Sequence, residues 1–182
     1  MHSRIEPVEA PYDSRVEEDF RALMPPGMAP LALFRTLAHN PRVLRRIRRG
    51  GLLDPGSVTV RQRELVILRT TALARAEYEW GVHVAFFGAE AGLDAAALHA
   101  TVWGTAEASC WSAAEAALVR ACDELHATAH LEERTWDSLC RHFTAAQRIE
   151  VLVLAGLYRT IAYVVNGAGV PLEFGAPRFP AE

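Results

Sequence analysis

Lysine is missing from this sequence: all 19 basic residues are arginine. Without a lysine amine no Schiff base can form between the protein and a carbonyl substrate, so imine chemistry is excluded. Cysteine is scarce as well. Cys110, Cys122 and Cys140 are isolated, odd in number and in no CxxC or other ligand-spaced set, which argues against a disulfide framework and predicts a reducing, cytoplasmic setting. Charge of one sign is also lacking. A formal net charge of -3 supplies no field to recruit nucleic acid or an anionic membrane. The N-terminal stretch MHSRIEPVEAPYDSR has no apolar h-region, and no stretch is expected to reach the apolar length that spans a bilayer. The remaining partner classes are a small molecule and other protein chains.

What is present fits one globular domain. The 182 residues are 51% hydrophobic and 23% charged, enough to bury roughly two-thirds of the surface exposed by the unfolded chain. Residues 1–13 carry two prolines and little periodicity, and read as an N-terminal arm that becomes ordered only by docking. Residues 14–170 read as a single all-helical domain, and 171–182, with three prolines, as a C-terminal tail lying over the surface.

Helical spacing predicts helices over 17–23, 31–38 and 41–49, with Pro41 suited to the first helical position. The Gly50-to-Gly56 segment breaks the pattern. Thr59 with Gln62, Ser112 with Glu115 and Thr144 with Gln147 are capping-box signatures opening helices to about 75, 127 and 165. Further helices are expected over 78–91, 94–101 and 133–142. Asn166-Gly167 is read as the last stop. No window alternates with period two between turn signals, so no strand is expected. Short connections then favour an antiparallel helical bundle, with Tyr158, Ile161 and Val165 on its core or interface side.

Within the 78–91 helix, Glu79 and His83 are four apart and share one face. A carboxylate beside an imidazole fixes its tautomer and raises its basicity, the arrangement wanted of a proton-handling pair near neutral pH. Trp80, Val82, Val84, Phe86 and Phe87 form an apolar setting that would desolvate the pair. Glu64 lies on the preceding helix, and antiparallel packing would turn it toward His83. The expected roles are His83 as the proton carrier, Glu79 as the group that orients it, and Glu64 as relay or substrate holder. Tyr78, Trp80, Phe87, Arg69 and Tyr158 are the substrate-binding candidates. For an anionic substrate group the cationic candidates are Arg69, Arg63, Arg35 and Arg159, whereas Arg42, Arg45, Arg46, Arg48 and Arg49 read as a solvated or subunit-facing surface. Two carboxylates and an imidazole would also suit a divalent metal, a second reading at this stage.

The run Arg61-Gln62-Arg63-Glu64-Leu65, followed by Glu77-Tyr78-Glu79-Trp80-Gly81-Val82-His83, resembles the signature of the carboxymuconolactone decarboxylase and alkylhydroperoxidase D-like superfamily. Trp111, Glu124-Leu125, Trp136, Gly156-Leu157-Tyr158-Arg159 and Asn166 extend the resemblance over roughly residues 30–174. It implies an alkylhydroperoxidase D-like helical bundle, a homo-oligomer (trimer or hexamer, with a dimer possible), no metal and no cofactor. In the peroxidase-type relatives a glutamate precedes a CxxC pair and a histidine follows it. Glu64 and His83 fall on the glutamate and histidine, but Ala76 and Glu79 stand at the cysteine positions, so thiol-based peroxide reduction cannot run there. The resemblance therefore implies a subgroup without the redox pair, with acid/base proton transfer of decarboxylase (lyase) or isomerase type on an unsaturated or cyclic carbonyl or carboxylate compound. A peroxide-related oxidoreductase or a non-catalytic ligand-binding homologue are the alternatives.

Overall fold

The computed structural model describes residues 3–182; Met1 and His2, the start of the expected arm, lie outside the described residues. Among the described residues there are helices and no strands: α1 (Ser14–Leu23), α2 (Ala32–Leu37), α3 (Pro41–Arg49), α4 (Val60–Leu73), α5 (Glu77–Phe87), α6 (Ala95–Trp103), α7 (Ala113–Thr128), α8 (Glu133–His142) and α9 (Ala145–Ala168).

Helix α4 is the axis of the fold, in contact with α5, α6, α7 and α9. Its Leu65-Val66-Ile67-Leu68 run is apolar all round and wholly inaccessible, as befits a helix surrounded by others rather than lying on a surface. The three capping boxes form as the sequence implies, on Thr59, Ser112 and Thr144, each satisfying two otherwise orphaned N–H groups.

Boundaries differ from the sequence expectation where local chemistry intervenes. Helix α1 starts at Ser14 because the Asp13 side chain accepts from the Arg15 N–H. Helix α5 stops at Phe87, unwinding through tight turns to Gly92, whose φ is +62°. Helix α9 runs past Asn166-Gly167 to Ala168 and ends at Gly169 in the left-handed region (φ +64°). Asn166 is no breaker. Its Nδ2 donates to Ala74 O at 2.8 Å and ties α9 to the end of α4. Helix α9 also corrects the expectation about apolar length: within its 24 residues an 18-residue window reaches a mean hydropathy of 1.4, enough by length and composition to cross a bilayer. That apolarity has two sources, a face packed on α4 and α5 and an exposed stripe containing Ile149, Val153 and Tyr163.

The described part of the arm and the tail are both pinned to the body. The arm donates from Arg4 N and Ile5 N to Ala168 O, and Glu9 pairs with Arg35. The tail runs along the outer side of α5, where Arg178 pairs with Glu77 and Phe179 packs edge-on against Trp80. Gly81 makes this approach possible, since a Cβ there would collide with Pro177 O. Helix α2 lacks a side-chain cap of its own. Glu173 accepts from Ala32 N, and the Tyr78 hydroxyl accepts from Leu33 N at 3.0 Å while donating to Glu173 at 2.6 Å.

Candidate functional site

Helices α4 and α5 pack side by side, and this brings Glu64 and His83 together across 19 residues of sequence. Glu64 Oε2 lies 2.7 Å from His83 Nδ1, while Glu79 Oε1 lies 3.5 Å from Nε2 on the other side of the ring. Arg63 closes the row by donating from Nε to Glu64 Oε1 at 2.8 Å and from Nη1 to Leu53 O at 3.0 Å. The four side chains alternate in sign, Arg63, Glu64, His83 and Glu79. All are buried: Glu64 is 0% exposed, His83 3% and Glu79 5%. Such a row is tolerable in an apolar interior because each charge faces an opposite one.

Burial by itself pushes the His83 pKa down. Hydrogen bonding and attraction to Glu64 and Glu79 outweigh it and raise the pKa from 6.5 to about 9. His83 is then an imidazolium at neutral pH, with Nδ1–H donated to Glu64 and Nε2–H turned toward Glu79. This inverts the expected division of labour. Glu64, not Glu79, makes the close hydrogen bond that fixes the ring.

A cavity of about 610 Å³ opens onto this row, within the range of small-molecule sites. Glu79, His83, Phe86 and Phe87 come from α5, Leu157, Tyr158 and Ile161 from α9, and the cover from the end of α1, α2, the end of α3 and the 51–54 loop. Tyr158 meets the His83 ring edge-on at 4.9 Å between centroids, and Phe87 sits at 5.4 Å. Burial and the two carboxylates push the Tyr158 hydroxyl far above its usual pKa, so it remains protonated. One atom stands out. Glu79 Oε2 is buried and has no hydrogen-bond partner.

The structure thus brings together Glu64, Glu79, His83, Phe87 and Tyr158. It places the other substrate-binding candidates elsewhere. Tyr78 leaves α5 toward α2, where it acts as that helix's long-range cap. Trp80 is 2% exposed, donates to Thr101 Oγ1 at 3.0 Å and carries Phe179 on its ring. Arg69 turns toward α7, pairing with Asp123 at 2.6 Å and donating to Thr101 O. Alternation around α5 separates Tyr78 and Trp80 from Glu79 and His83, because neighbours in sequence leave a helix in different directions. The other cationic candidates are engaged too: Arg63 with Glu64, Arg35 with Glu9, and Arg159 with His126 and Tyr163. Arg49, and Arg48 paired with Asp19, line the cavity instead. Nothing in their local pattern distinguishes them from the rest of the arginine cluster. Only the folding of α1–α3 over α5 does. Among the described residues no group of three or more His, Cys, Asp and Glu side chains is arranged to hold a metal ion, since Glu64 and His83 spend their facing atoms on each other.

The helix arrangement and this buried row define an alkylhydroperoxidase D-like fold with a carboxylate–imidazole–carboxylate site. Residues 41–123, which include Glu64, Glu79 and His83, match the carboxymuconolactone decarboxylase family. The fold is similar to the alkylhydroperoxidase AhpD core of an uncharacterized peroxidase-related protein from Ralstonia eutropha JMP134 (TM-score 0.80, 17% identity, covering 96% of this chain and 95% of that one). It is also similar to an uncharacterized peroxidase-related protein from Silicibacter sp. TM1040 (TM-score 0.78, 15% identity, 94% and 92%). A third similar structure is a cysteine-to-alanine variant of the debrominase Bmp8 in complex with 2,3,4-tribromopyrrole (TM-score 0.76, 16% identity, 96% and 94%). No curated protein matches the sequence significantly.

Proposed function

We propose that the chain is a small-molecule enzyme that transfers protons to and from carbon, of decarboxylase or isomerase type, acting on an unsaturated or cyclic carbonyl or carboxylate compound. The observation that carries this reading is the buried Glu64–His83–Glu79 row opening onto an apolar cavity. His83 gives a proton from Nε2. Glu64 holds the ring and stabilises its charge, and Glu79, on the cavity side, receives or returns a proton.

In an isomerisation, Glu79 takes a proton from a carbon next to the carbonyl and His83 delivers one at the far end of the conjugated system. The site is left with a protonated Glu79 and a neutral His83, and a proton passing between these neighbours restores it. In a decarboxylation, the electrons of the breaking C–C bond move into the conjugated carbonyl, carbon dioxide leaves, and the His83 proton goes to carbon. Arg49 lines the cavity and is the cation available there to hold a carboxylate, since Arg48 is paired with Asp19. A thiol route has no group to run on, since no cysteine lines the cavity. The debrominase neighbour, crystallised with a brominated pyrrole, indicates that this fold can house a compact ring.

We further infer that the exposed stripe of α9 is covered by another copy of the chain. Ile149, Val153 and Tyr163 are 63%, 50% and 63% exposed and recur at helical spacing.

The functional reading is tested by following solvent deuterium entering carbon in cyclic unsaturated carbonyl compounds, by NMR, with wild type and His83→Ala. A general acid or base at this position contributes about 10²- to 10⁴-fold, and that loss is expected in the variant. Equal exchange in the two proteins overturns it.

A further inference from the structure

The carboxylate of Glu79 is only half satisfied. Its Oε1 faces His83 Nε2 at 3.5 Å, but its Oε2 is buried without a hydrogen-bond partner, in a residue 5% exposed that lines the cavity. Buried polar atoms are almost always paired, and an unpaired oxygen on a charged group is the costliest kind to leave. Neighbouring side chains do not supply a donor. Arg63 is committed to Glu64 and Leu53 on the far side of the ring, and Tyr158 presents its ring edge-on to His83. At the rim, Arg48 is paired with Asp19, and Arg49 and Asp54 complete the charged groups lining the cavity. Glu79 lines the cavity, so a ligand there can bring the missing donor.

We propose that Glu79 Oε2 and His83 Nε2 form a single recognition edge, and that the substrate is a compact planar ring presenting an O–H or N–H donor to Glu79 beside an acceptor facing His83. The inference rests on the reading of this cavity as the substrate site, and it narrows the substrate class. Phe34, Phe86 and Phe87 bound the space beside the two polar atoms, which suits a flat ring better than a branched chain. Within a ring, the donor and acceptor must be adjacent, because Glu79 and His83 sit one helical turn apart on the same face of α5. A cyclic amide has this edge, and so does a ring enol next to a carbonyl.

Two matched probes test the edge without turnover. 2-Pyridone carries N–H beside C=O, and 1-methyl-2-pyridone keeps the ring and carbonyl but loses the donor. Binding is measured by isothermal titration, with the ring-nitrogen signals of His83 followed by NMR to locate it. Wild-type protein is expected to bind 2-pyridone about 10- to 100-fold more tightly than the methylated ring, the range for a hydrogen bond to a charged group. Glu79→Leu is expected to bring the ratio to about one. Equal binding of the two probes by wild type, tighter binding of the methylated one, or no shift at His83 overturns the proposal. The wild-type comparison holds even if the variant does not fold. A failure here leaves the dependence of carbon protonation on His83 untouched, and a failure of that dependence leaves the binding ratio standing.

Discussion

Glu64 Oε2 and His83 Nδ1 stand 2.7 Å apart although the residues lie on separate helices. This contact fixes which nitrogen faces the cavity, and the chemistry proposed for the site follows from it.

Glu64→Gln replaces the carboxylate with an amide of the same shape, which can still touch Nδ1 but no longer balances an imidazolium. Loss of proton transfer at carbon is expected to approach that of His83→Ala, about 10²-fold or more. Glu79→Gln, farther from the ring, should reduce it less than His83→Ala. Initial rates for the three variants with one common substrate establish the order.

Stability should depend on pH through His83. Its pKa is 6.5 ordinarily and about 9 in the folded chain, so the folded state binds the extra proton. The resulting stabilisation is complete below pH 6.5, declines as pH rises, and is lost above about 9, with an amplitude on the order of 3 kcal/mol. Urea unfolding between pH 6 and 10 should show this decline, and His83→Gln should flatten it.

Arg63→Met should leave the buried Glu64 carboxylate with only His83 to balance it, a loss expected to fall below the about 3–5 kcal/mol of a buried charge left wholly unpaired. The same substitution made on a Glu64→Gln background should cost markedly less. A double-mutant cycle by urea unfolding gives the coupling, and additive losses would mean that Arg63 acts through Leu53 O, or through the Phe87 ring 5.0 Å from its guanidinium, instead.

Tyr78→Phe tests the cap assignment against the substrate-binding role expected for it. Removing the hydroxyl leaves the Leu33 N–H without its acceptor and Glu173 with only the Ala32 N–H. A loss of about 1–3 kcal/mol in stability is expected, with proton transfer at carbon kept in the protein that remains folded. A selective loss of activity with unchanged stability would return Tyr78 to the site.

Coverage of α9 predicts a mass above that of one chain by light scattering at micromolar concentration, and Val153→Arg should lower it. A monomeric wild type would contradict that coverage.

Much of this architecture was legible because the signals are local. Thr59, Ser112 and Thr144 announce their helices within four residues, and the apolar run of α4 marks it as central. The Glu64–His83 contact was partly legible, since a short connection between α4 and α5 implied antiparallel packing. Roles were harder to read. Spacing alone favoured Glu79 as the orienting partner, while the cross-helix distance favours Glu64. Tyr78, Trp80 and Arg69 looked like site residues by proximity in sequence, but rotation around α5 and α4 sends them to α2, α6 and α7. Arg48 and Arg49 were invisible as cavity residues because only tertiary folding of α1–α3 brings them there. Glu173 was equally hidden, 95 residues from the tyrosine it holds.

Proton transfer at this site depends most directly on the charge of His83. Titration of its ring nitrogens by NMR, with histidine labelled, reads that charge without any substrate. The expected result is an imidazolium at pH 7 that loses its proton near pH 9. A ring already neutral at pH 7, titrating at or below 6.5, would contradict it.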